Sequence, residues 1–353
     1  MKGCSMRNAL VWIAVGLLLW GCEKREPAAA ASPSSSASSG RRIVYIPKNS
    51  GNPYFDSVTA GIRKLCDERG IEFLTIAPAT PEATSQIPFI KDQVQQGVSA
   101  IILSPNSVDA LNSVLDNARA RGVRIVTVDA DLTGNESHRD AGVLPADFDK
   151  LGAWQIEFLG SLIGYEGKFA ILSATTDAPN QNRWIRDMKE ALRDPKYAKM
   201  QLVEVVYGDD KPQKSRTEAE GLLTKHPDLR AIIAPTTVGV EQAARAVEAA
   251  GVYPGGPNAR GKGVVVTGFG TPNQMRRYVQ ERIVPAFALW VPSDMGYLSA
   301  FIAAELIEGR LKAEPGTRVD VPGLGARQFG PHNVVITGPP MIFTRENIDQ
   351  YRF

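Results

Sequence analysis

From residue 42 onward, short apolar runs alternate with longer amphipathic segments. Ile43-Val44-Tyr45-Ile46 predicts a strand, and residues 54–69 predict a helix that ends at Gly70. The same alternation predicts strands at 73–76, 100–103 and 124–128 and helices at 84–96 and 108–121. Apolar runs without an intervening polar position are typical of parallel strands that helices cover on both faces.

The alternation of short apolar runs and amphipathic segments then repeats in a second series of similar size. It predicts strands at 168–172, 202–206, 231–233, 263–267, 286–289 and 334–336, and helices at 183–192, 215–225, 238–250, 273–281 and 294–308. Two successive series predict an α/β protein with two similar lobes, each a parallel sheet flanked by helices. We place the first change of lobe between Ala141 and Asp147.

The first forty residues have a different character. Lys2 and Arg7 precede an uncharged run over 9–20, which is short for a permanent membrane span. The run ends at Leu19-Trp20-Gly21-Cys22, which resembles a bacterial lipoprotein signal. We therefore expect a signal peptide at 1–21 and a lipid on Cys22. The alternative is a buried apolar helix with an incidental cysteine.

Residues 27–40 contain only Ala, Ser, Pro and Gly. Such a segment buries too little apolar surface to offset its ordering entropy, so 22–40 is expected to be a flexible tether. No later apolar stretch approaches membrane-spanning length, and we expect the body after the tether to be soluble.

Charge and cysteine content narrow the function classes. The formal net charge is +2 and the charged residues are well mixed, which gives no argument for nucleic-acid binding. Cys4 falls within the signal and Cys22 at its end. Cys66 is then alone, so no intramolecular disulfide is expected.

Polar and aromatic residues concentrate in loops that follow the predicted strands. Ligands of open parallel sheets bind beyond the carboxyl ends of the strands, so the cleft between two such lobes is the expected site. The candidate ligand contacts are Lys48, Asn52, Tyr54, Phe55, Asp129, Asp131, Asn180, Gln181, Trp184, Pro235, Thr236, Thr237 and Trp290.

These residue types suit a small polyhydroxylated molecule such as a sugar. Carboxylates and amides form hydrogen bonds with hydroxyl pairs, and aromatic rings pack against the apolar C–H face of a pyranose. The structural alternatives are a turn cap for Asp129 or Asp131, a helix cap for Asn180, a core position for Phe55 or Trp184, and a solvated side chain for Lys48.

Six segments, in this order, resemble type I periplasmic solute-binding proteins of the ribose-binding kind, in particular rhamnose-binding proteins and Lsr-type autoinducer-2 receptors. They are Tyr45-Ile46-Pro47-Lys48, Val126-Thr127-Val128-Asp129-Ala130-Asp131, Asn180-Gln181-Asn182-Arg183-Trp184, Ile232-Ile233-Ala234-Pro235, Gly268-Phe269-Gly270-Thr271-Pro272-Asn273-Gln274-Met275 and Phe287-Ala288-Leu289-Trp290. The ending Phe343-Thr344-Arg345-Glu346-Asn347-Ile348 is similar as well.

The resemblance implies two lobes joined by hinge strands, with 41–145 and 291–312 in the N-terminal lobe and 146–290 and 313–353 in the C-terminal lobe. It implies that the protein closes on its ligand and then docks on an ABC transporter permease. The residues that match the family's ligand contacts are Lys48, Asp129, Asn180, Gln181, Pro235 and Thr237, with Trp290 at a ligand-facing position.

The same resemblance implies a monomer at the periplasm or cell surface, held to the membrane by its lipid, with no cofactor, no metal and no nucleic-acid partner.

Two departures from the patterns of these families bear on the class of ligand. Autoinducer-2 receptors have an acid where this chain has Asn180, and Asp-Ala where it has Thr236-Thr237. The amide and the Pro-Thr-Thr-Val-Gly run resemble the rhamnose-binding branch, although that branch has aspartate where this chain has Val291. We therefore expect rhamnose or a related deoxyhexose, with autoinducer-2 as the alternative.

Two other classes remain for comparison. Sugar-responsive repressors share this fold but begin with a helix-turn-helix, whereas this chain begins with a signal and tether. An enzyme is disfavoured because the three histidines fall on separate loops and no nucleophile elbow, zinc spacing or phosphate loop is present. Gly268-Phe269-Gly270 lacks the third glycine of a nucleotide fingerprint.

Overall fold

The computed structural model describes residues 40–353. The predicted signal, the lipidation site Cys22 and all but the last residue of the tether lie outside the described residues. Within 40–353, no helix combines the length and apolar character needed to cross a bilayer.

The strands of this part of the chain are β1 (Arg42–Ile46), β2 (Glu72–Thr75), β3 (Ala100–Leu103), β4 (Arg124–Val128), β5 (Ala141–Leu144), β6 (Gly167–Ser173), β7 (Met200–Tyr207), β8 (Leu229–Ala234), β9 (Val265–Gly268), β10 (Phe287–Leu289), β11 (Arg318–Val321), β12 (Gly325–Gln328), β13 (Val334–Ile336) and β14 (Met341–Phe343). The helices are α1 (Pro53–Arg69), α2 (Ile87–Gln95), α3 (Asn112–Ala120), α4 (Phe148–Ile163), α5 (Pro179–Ala191), α6 (Pro212–Lys225), α7 (Thr237–Ala250), α8 (Pro272–Gln280) and α9 (Pro292–Ile307).

Two parallel sheets form the centres of the two lobes. The first sheet has the strand order β13-β5-β4-β3-β1-β2, and the second has the order β7-β6-β8-β9. Every residue of the central strand β3 is buried, as its uninterrupted apolar run predicts. The predicted α/β class with helix-flanked parallel sheets is therefore confirmed.

The C-terminal segment differs from the sequence prediction. Residues 313–353 were expected in the second lobe, but β13 lies parallel to β5 at the edge of the first sheet, with Val334 opposite Gly142. Strand β14 then pairs with β10 in the second lobe. A three-residue strand carries no local signal for either lobe, and the open hydrogen-bonding edge of β5 decides its place. The chain consequently crosses between the lobes three times: before α4, before α9 and before β14.

Helix α1 shows how the local sequence sets the ends of an element. The Asn52 side chain accepts a hydrogen bond from the Tyr54 backbone N–H at 3.1 Å, and Pro53 occupies the first turn. At the other end, Gly70 adopts a left-handed conformation with φ of +61° and closes the helix. The start of α1 is thereby fixed at the sheet edge where the predicted site lies.

Helices α1 and α9 cross in very close contact through two glycines. A Cβ atom on Gly61 would lie 1.9 Å from the backbone oxygen of Ser293, and one on Gly296 would lie 2.1 Å from the backbone oxygen of Val58. Only glycine fits at either position, so the two helices pack backbone against backbone.

We expect Gly61→Ala to lower the free energy of unfolding by about 1–3 kcal/mol, because the added methyl group forces two packed helix backbones apart. Gly221→Ala is the matched control, since a Cβ at this position in α6 meets no atom within 4 Å. The control should raise stability by up to about 1 kcal/mol through helix propensity. Urea denaturation measures both changes, and equal effects would contradict the packing argument.

Candidate ligand-binding site

A cavity lies between the lobes at the carboxyl ends of their parallel strands. About 360 Å³ of space free of protein atoms lies within it, open solvent at its mouth included. Its walls are formed by Lys48, Asn52, Tyr54, Phe55, Asp129, Asn180, Gln181, Trp184, Asp210, Pro235, Thr236, Thr237, Phe269, Leu289 and Trp290.

The Asp129 carboxylate is the centre of the polar wall. Its Oδ1 accepts a hydrogen bond from the Tyr54 hydroxyl at 2.6 Å, and its Oδ2 lies 3.5 Å from Lys48 Nζ. The Asn180 amide nitrogen donates to the same Oδ2 at 3.3 Å. Asp129 is only 3 % exposed, and none of these donors is a backbone N–H of a turn. The turn-cap alternative therefore does not describe this side chain.

Asn180 joins the two lobes through both ends of its amide. Its Oδ1 accepts from Lys48 Nζ at 2.8 Å, while its Nδ2 donates to Asp129. Lys48 and Asp129 belong to the first lobe, and Asn180 lies in the first turn of α5 in the second. Helix α5 begins at Pro179 with Ala178 as its N-cap, so Asn180 is not the cap.

Two further hydrogen bonds connect the lobes around the cavity. The Thr237 hydroxyl, at the start of α7, lies 3.3 Å from Asn52 Oδ1 and donates to it. The Trp290 indole nitrogen donates to the Tyr54 hydroxyl at 2.8 Å. Because Tyr54 donates in turn to Asp129, a chain of hydrogen bonds runs from the crossing segment before α9 to the central carboxylate.

Gln181 presents a donor to the cavity. Its Oε1 accepts from the Ser173 hydroxyl at 3.1 Å and from the Ala174 backbone N–H at 2.9 Å, both at the end of β6. Its Nε2 has no protein partner among residues 40–353. The amide orientation is thus fixed by the strand end, and the NH₂ group is available to a ligand.

Three aromatic rings form the apolar wall. The ring centroids of Trp184 and Phe269 are 5.4 Å apart, and those of Phe269 and Trp290 are 5.0 Å apart. Trp184 and Phe55 are both buried and belong to the hydrophobic core as well as to the cavity wall. Trp184 and Phe55 are therefore part of the core and line the cavity, so the two interpretations of these residues do not exclude each other.

Asp131 is the one predicted contact that does not line the cavity. It is held in a buried ion pair in which Arg139 Nε and Nη2 donate to its two oxygens at 2.6 and 2.5 Å. Thr127 Oγ1 and the Leu132 backbone N–H also donate to its Oδ1. Asp129 has a positive φ of +69°, so the backbone turns between the two aspartates. They consequently occupy different surroundings, and Asp131 has a structural role.

Sequence reasoning missed three residues that line the cavity: Asp210, Phe269 and Leu289. Each follows or ends a strand of the second lobe. The expectation that ligands bind beyond the carboxyl ends of the strands therefore applies to these three residues as well. Burial raises the pKa of Asp210, and hydrogen bonding from Thr236 and the charge of Lys48 oppose this shift. The apolar pattern predicts that the strand before Asp210 ends at 206, one residue before its observed end at Tyr207, and the loop that follows is not among the predicted contacts.

Comparison with known proteins is consistent with this geometry. The family model of the periplasmic binding protein domain matches residues 43–311. The chain belongs to the periplasmic binding protein family. The ribose-binding type of resemblance is thereby confirmed, and the relatives are solute-binding proteins rather than enzymes. This binding protein is accordingly not an enzyme, and its family functions outside the cytoplasm.

Individual relatives cover nearly the whole binding protein. A sugar ABC transporter structure from Actinomyces odontolyticus is 37% identical, covers 89% of this chain and 98% of its own, and has a TM-score of 0.70. A solute-binding protein from Clostridium phytofermentas with bound L-rhamnose is 29% identical, with 88% and 98% coverage and a TM-score of 0.82. The ribose import binding protein of Bacillus subtilis is 26% identical over 86% of this chain and 95% of its own.

The ion pair beneath the site is tested by removing its cation. We expect Arg139→Met in this binding protein to lower the free energy of unfolding by about 3–5 kcal/mol, because the Asp131 carboxylate is left buried without its partner. The double variant Arg139→Met/Asp131→Asn should recover at least half of the loss. The asparagine oxygen can still accept from Thr127 and Leu132, and no buried charge remains. Urea denaturation measures both, and equal stability of the single and double variants would contradict the structural role of Asp131.

Proposed function

We propose that this protein captures a small polyhydroxylated ligand, rhamnose or a related deoxyhexose, and delivers it to an ABC sugar importer. The observation that carries the proposal is a single cavity between the lobes that combines a hydrogen-bonding wall with an aromatic wall. A deoxyhexose has matching parts, since it carries several hydroxyl groups together with a methyl group and an apolar C–H face.

The polar wall suits hydroxyl groups because donors and acceptors lie side by side. Lys48 and the Gln181 NH₂ group are donors, and Asp129 Oδ2 is an acceptor. A sugar hydroxyl both donates and accepts, so one hydroxyl can contact a donor and an acceptor at once. In a closed cleft, each unsatisfied partner costs about 1–3 kcal/mol, which favours a ligand with hydroxyls at the matching positions.

The aromatic wall supports a ligand with an apolar side. Trp184, Phe269 and Trp290 offer ring faces and edges against which C–H groups pack. The solved relative with bound L-rhamnose, 29% identical over most of the chain, points to the same class of ligand. The amide at Asn180 agrees, because an acid at this position would place a second carboxylate against Asp129.

Lobe closure would connect binding to transport. The hydrogen bonds of Asn180 and Thr237 cross between the lobes, and a ligand in the cavity would add further bridges that the open form lacks. Ligand binding would therefore shift the population towards the closed form. We propose that the permease recognises this form, with the protein acting as a monomer.

We also propose that Cys22 carries a lipid that holds the protein at a membrane surface. The basic start, the short apolar run and the cysteine before an Ala/Ser/Pro tether support this proposal. Expressed at full length in a bacterium that processes lipoproteins, the protein should sediment with membranes, and Cys22→Ser should move it to the soluble fraction. Equal partitioning of the two proteins would contradict the anchor.

The central test of ligand binding is Asp129→Asn. This change keeps the size of the side chain and an oxygen for Tyr54 but removes the carboxylate. We expect L-rhamnose to raise the melting temperature of the wild-type protein, and the variant to bind at least about tenfold more weakly while its ligand-free melting temperature stays nearly unchanged. Differential scanning fluorimetry with L-rhamnose, D-ribose and autoinducer-2 provides the ranking.

Asp116→Asn is the matched control, because this exposed residue of α3 is outside the cavity. The control should keep the ligand response of the wild type. Stabilisation only by autoinducer-2 would favour the alternative ligand. A variant at position 129 with full ligand response would exclude Asp129 from the site.

A further inference from the structure

A second carboxylate, Asp210, faces the cavity from the loop after β7. It lies outside the segments that carry the family resemblance. The residue is 8 % exposed and lines the cavity. Its Oδ1 accepts a hydrogen bond from the Thr236 hydroxyl, and its Oδ2 has no hydrogen-bond partner among residues 40–353.

The backbone holds Asp210 in a fixed position. The Gly208 N–H donates to the Ser173 oxygen at 2.9 Å, and the Asp209 N–H donates to the Ala174 oxygen at 2.9 Å. Asp209 and Asp210 then adopt φ values of +54° and +49°, which turn the chain sharply after the strand. Ser173 and Ala174 also fix the Gln181 amide, so the acceptor at 210 and the donor at 181 are both anchored to the end of β6.

The charged groups that face Asp210 do not neutralise it. Lys48 favours its ionised form from a distance, but the Lys48 ammonium bonds to Asn180 and lies beside Asp129. Asp129 and Asp209 oppose ionisation by their charge, and Asp209 is itself paired with Lys214 at 2.7 Å. Burial is the largest influence and raises the pKa of Asp210. A buried carboxylate with one unpartnered oxygen is stabilised by any hydrogen-bond donor that a ligand brings.

Building on the proposed function, we propose that Asp210 is a specificity-determining residue whose Oδ2 accepts a hydrogen bond from a ligand hydroxyl. The ligand must then carry a free hydroxyl at this end, and an analogue that is deoxygenated or O-methylated there is rejected. Asp210 is thus an additional acceptor, which requires a donor group on the ligand, in a site that otherwise recognises its ligand through Asp129, Lys48 and Asn180.

This role makes ligand binding proton-linked. The ligand hydroxyl bonds to the carboxylate, so binding favours the ionised form and releases a proton from the fraction of Asp210 that was protonated. The affinity is therefore full above the raised pKa of Asp210 and falls as the pH drops through it, by up to about tenfold per pH unit.

The test compares Asp210→Asn with Asp209→Asn. Both positions have positive φ, which asparagine tolerates, and only Asp210 lines the cavity. In Asp210→Asn, the amide oxygen can keep the hydrogen bond from Thr236. The NH₂ group then replaces Oδ2, so a donor faces the ligand hydroxyl that would donate to the carboxylate. With L-rhamnose as the probe, isothermal titration calorimetry at neutral pH should give a dissociation constant about 10- to 100-fold higher for Asp210→Asn, and within about twofold of wild type for Asp209→Asn.

The pH dependence provides the second measurement. Wild type and Asp209→Asn should lose affinity as the pH falls through the raised pKa of Asp210, and ligand binding in that range should release protons, measured in two buffers of different ionisation enthalpy. Asp210→Asn should show neither effect. Unchanged affinity of Asp210→Asn, or a pH dependence that this variant retains, overturns the proposal while sugar binding itself stands. If the wild type binds none of L-rhamnose, D-ribose and autoinducer-2, the proposed function fails and this proposal fails with it.

Discussion

The Asp129 carboxylate is the constraint on which the closed arrangement depends. A buried carboxylate requires hydrogen-bonding partners, and here they come from both lobes: Tyr54 and Lys48 from the first, and Asn180 from the second. Separating the lobes would remove Asn180 from both Asp129 and Lys48. The atoms that would contact a ligand under the proposed function therefore also link the lobes in this structure.

The framework around this carboxylate is closely packed where the site is built. Helix α1 supplies Asn52 at its cap and Tyr54 and Phe55 in its first turn. Its close glycine contacts with α9 fix its position in the first lobe. Helix α9 begins two residues after Trp290, whose indole donates to Tyr54. The start of α1 and the crossing segment before α9 are thus joined by a direct hydrogen bond at the cavity.

The two aspartates after β4 and the two after β7 illustrate how neighbouring acids acquire different roles. Asp129 faces the cavity, whereas Asp131 is neutralised by Arg139 below it. In the second lobe, Asp210 faces the cavity, whereas Asp209 is paired with Lys214 near the surface. In each pair, positive φ angles turn the backbone so that one carboxylate enters the site and the other is held elsewhere. The residue type alone does not distinguish the members of a pair.

The sequence by itself determined the two-lobed parallel architecture, because short apolar runs and helix periodicity are local properties. It also placed Lys48, Asn180, Pro235 and the other strand-end candidates except Asp131 at one cavity, since parallel strands bring their carboxyl ends to the same edge. Only the tertiary structure decided that Asp131 pairs with Arg139, that Asp210 enters the cavity and that β13 joins the first sheet. These outcomes depend on backbone turns and on partners distant in the chain. A sequence pattern over a few residues specifies neither the backbone turns nor the distant partners.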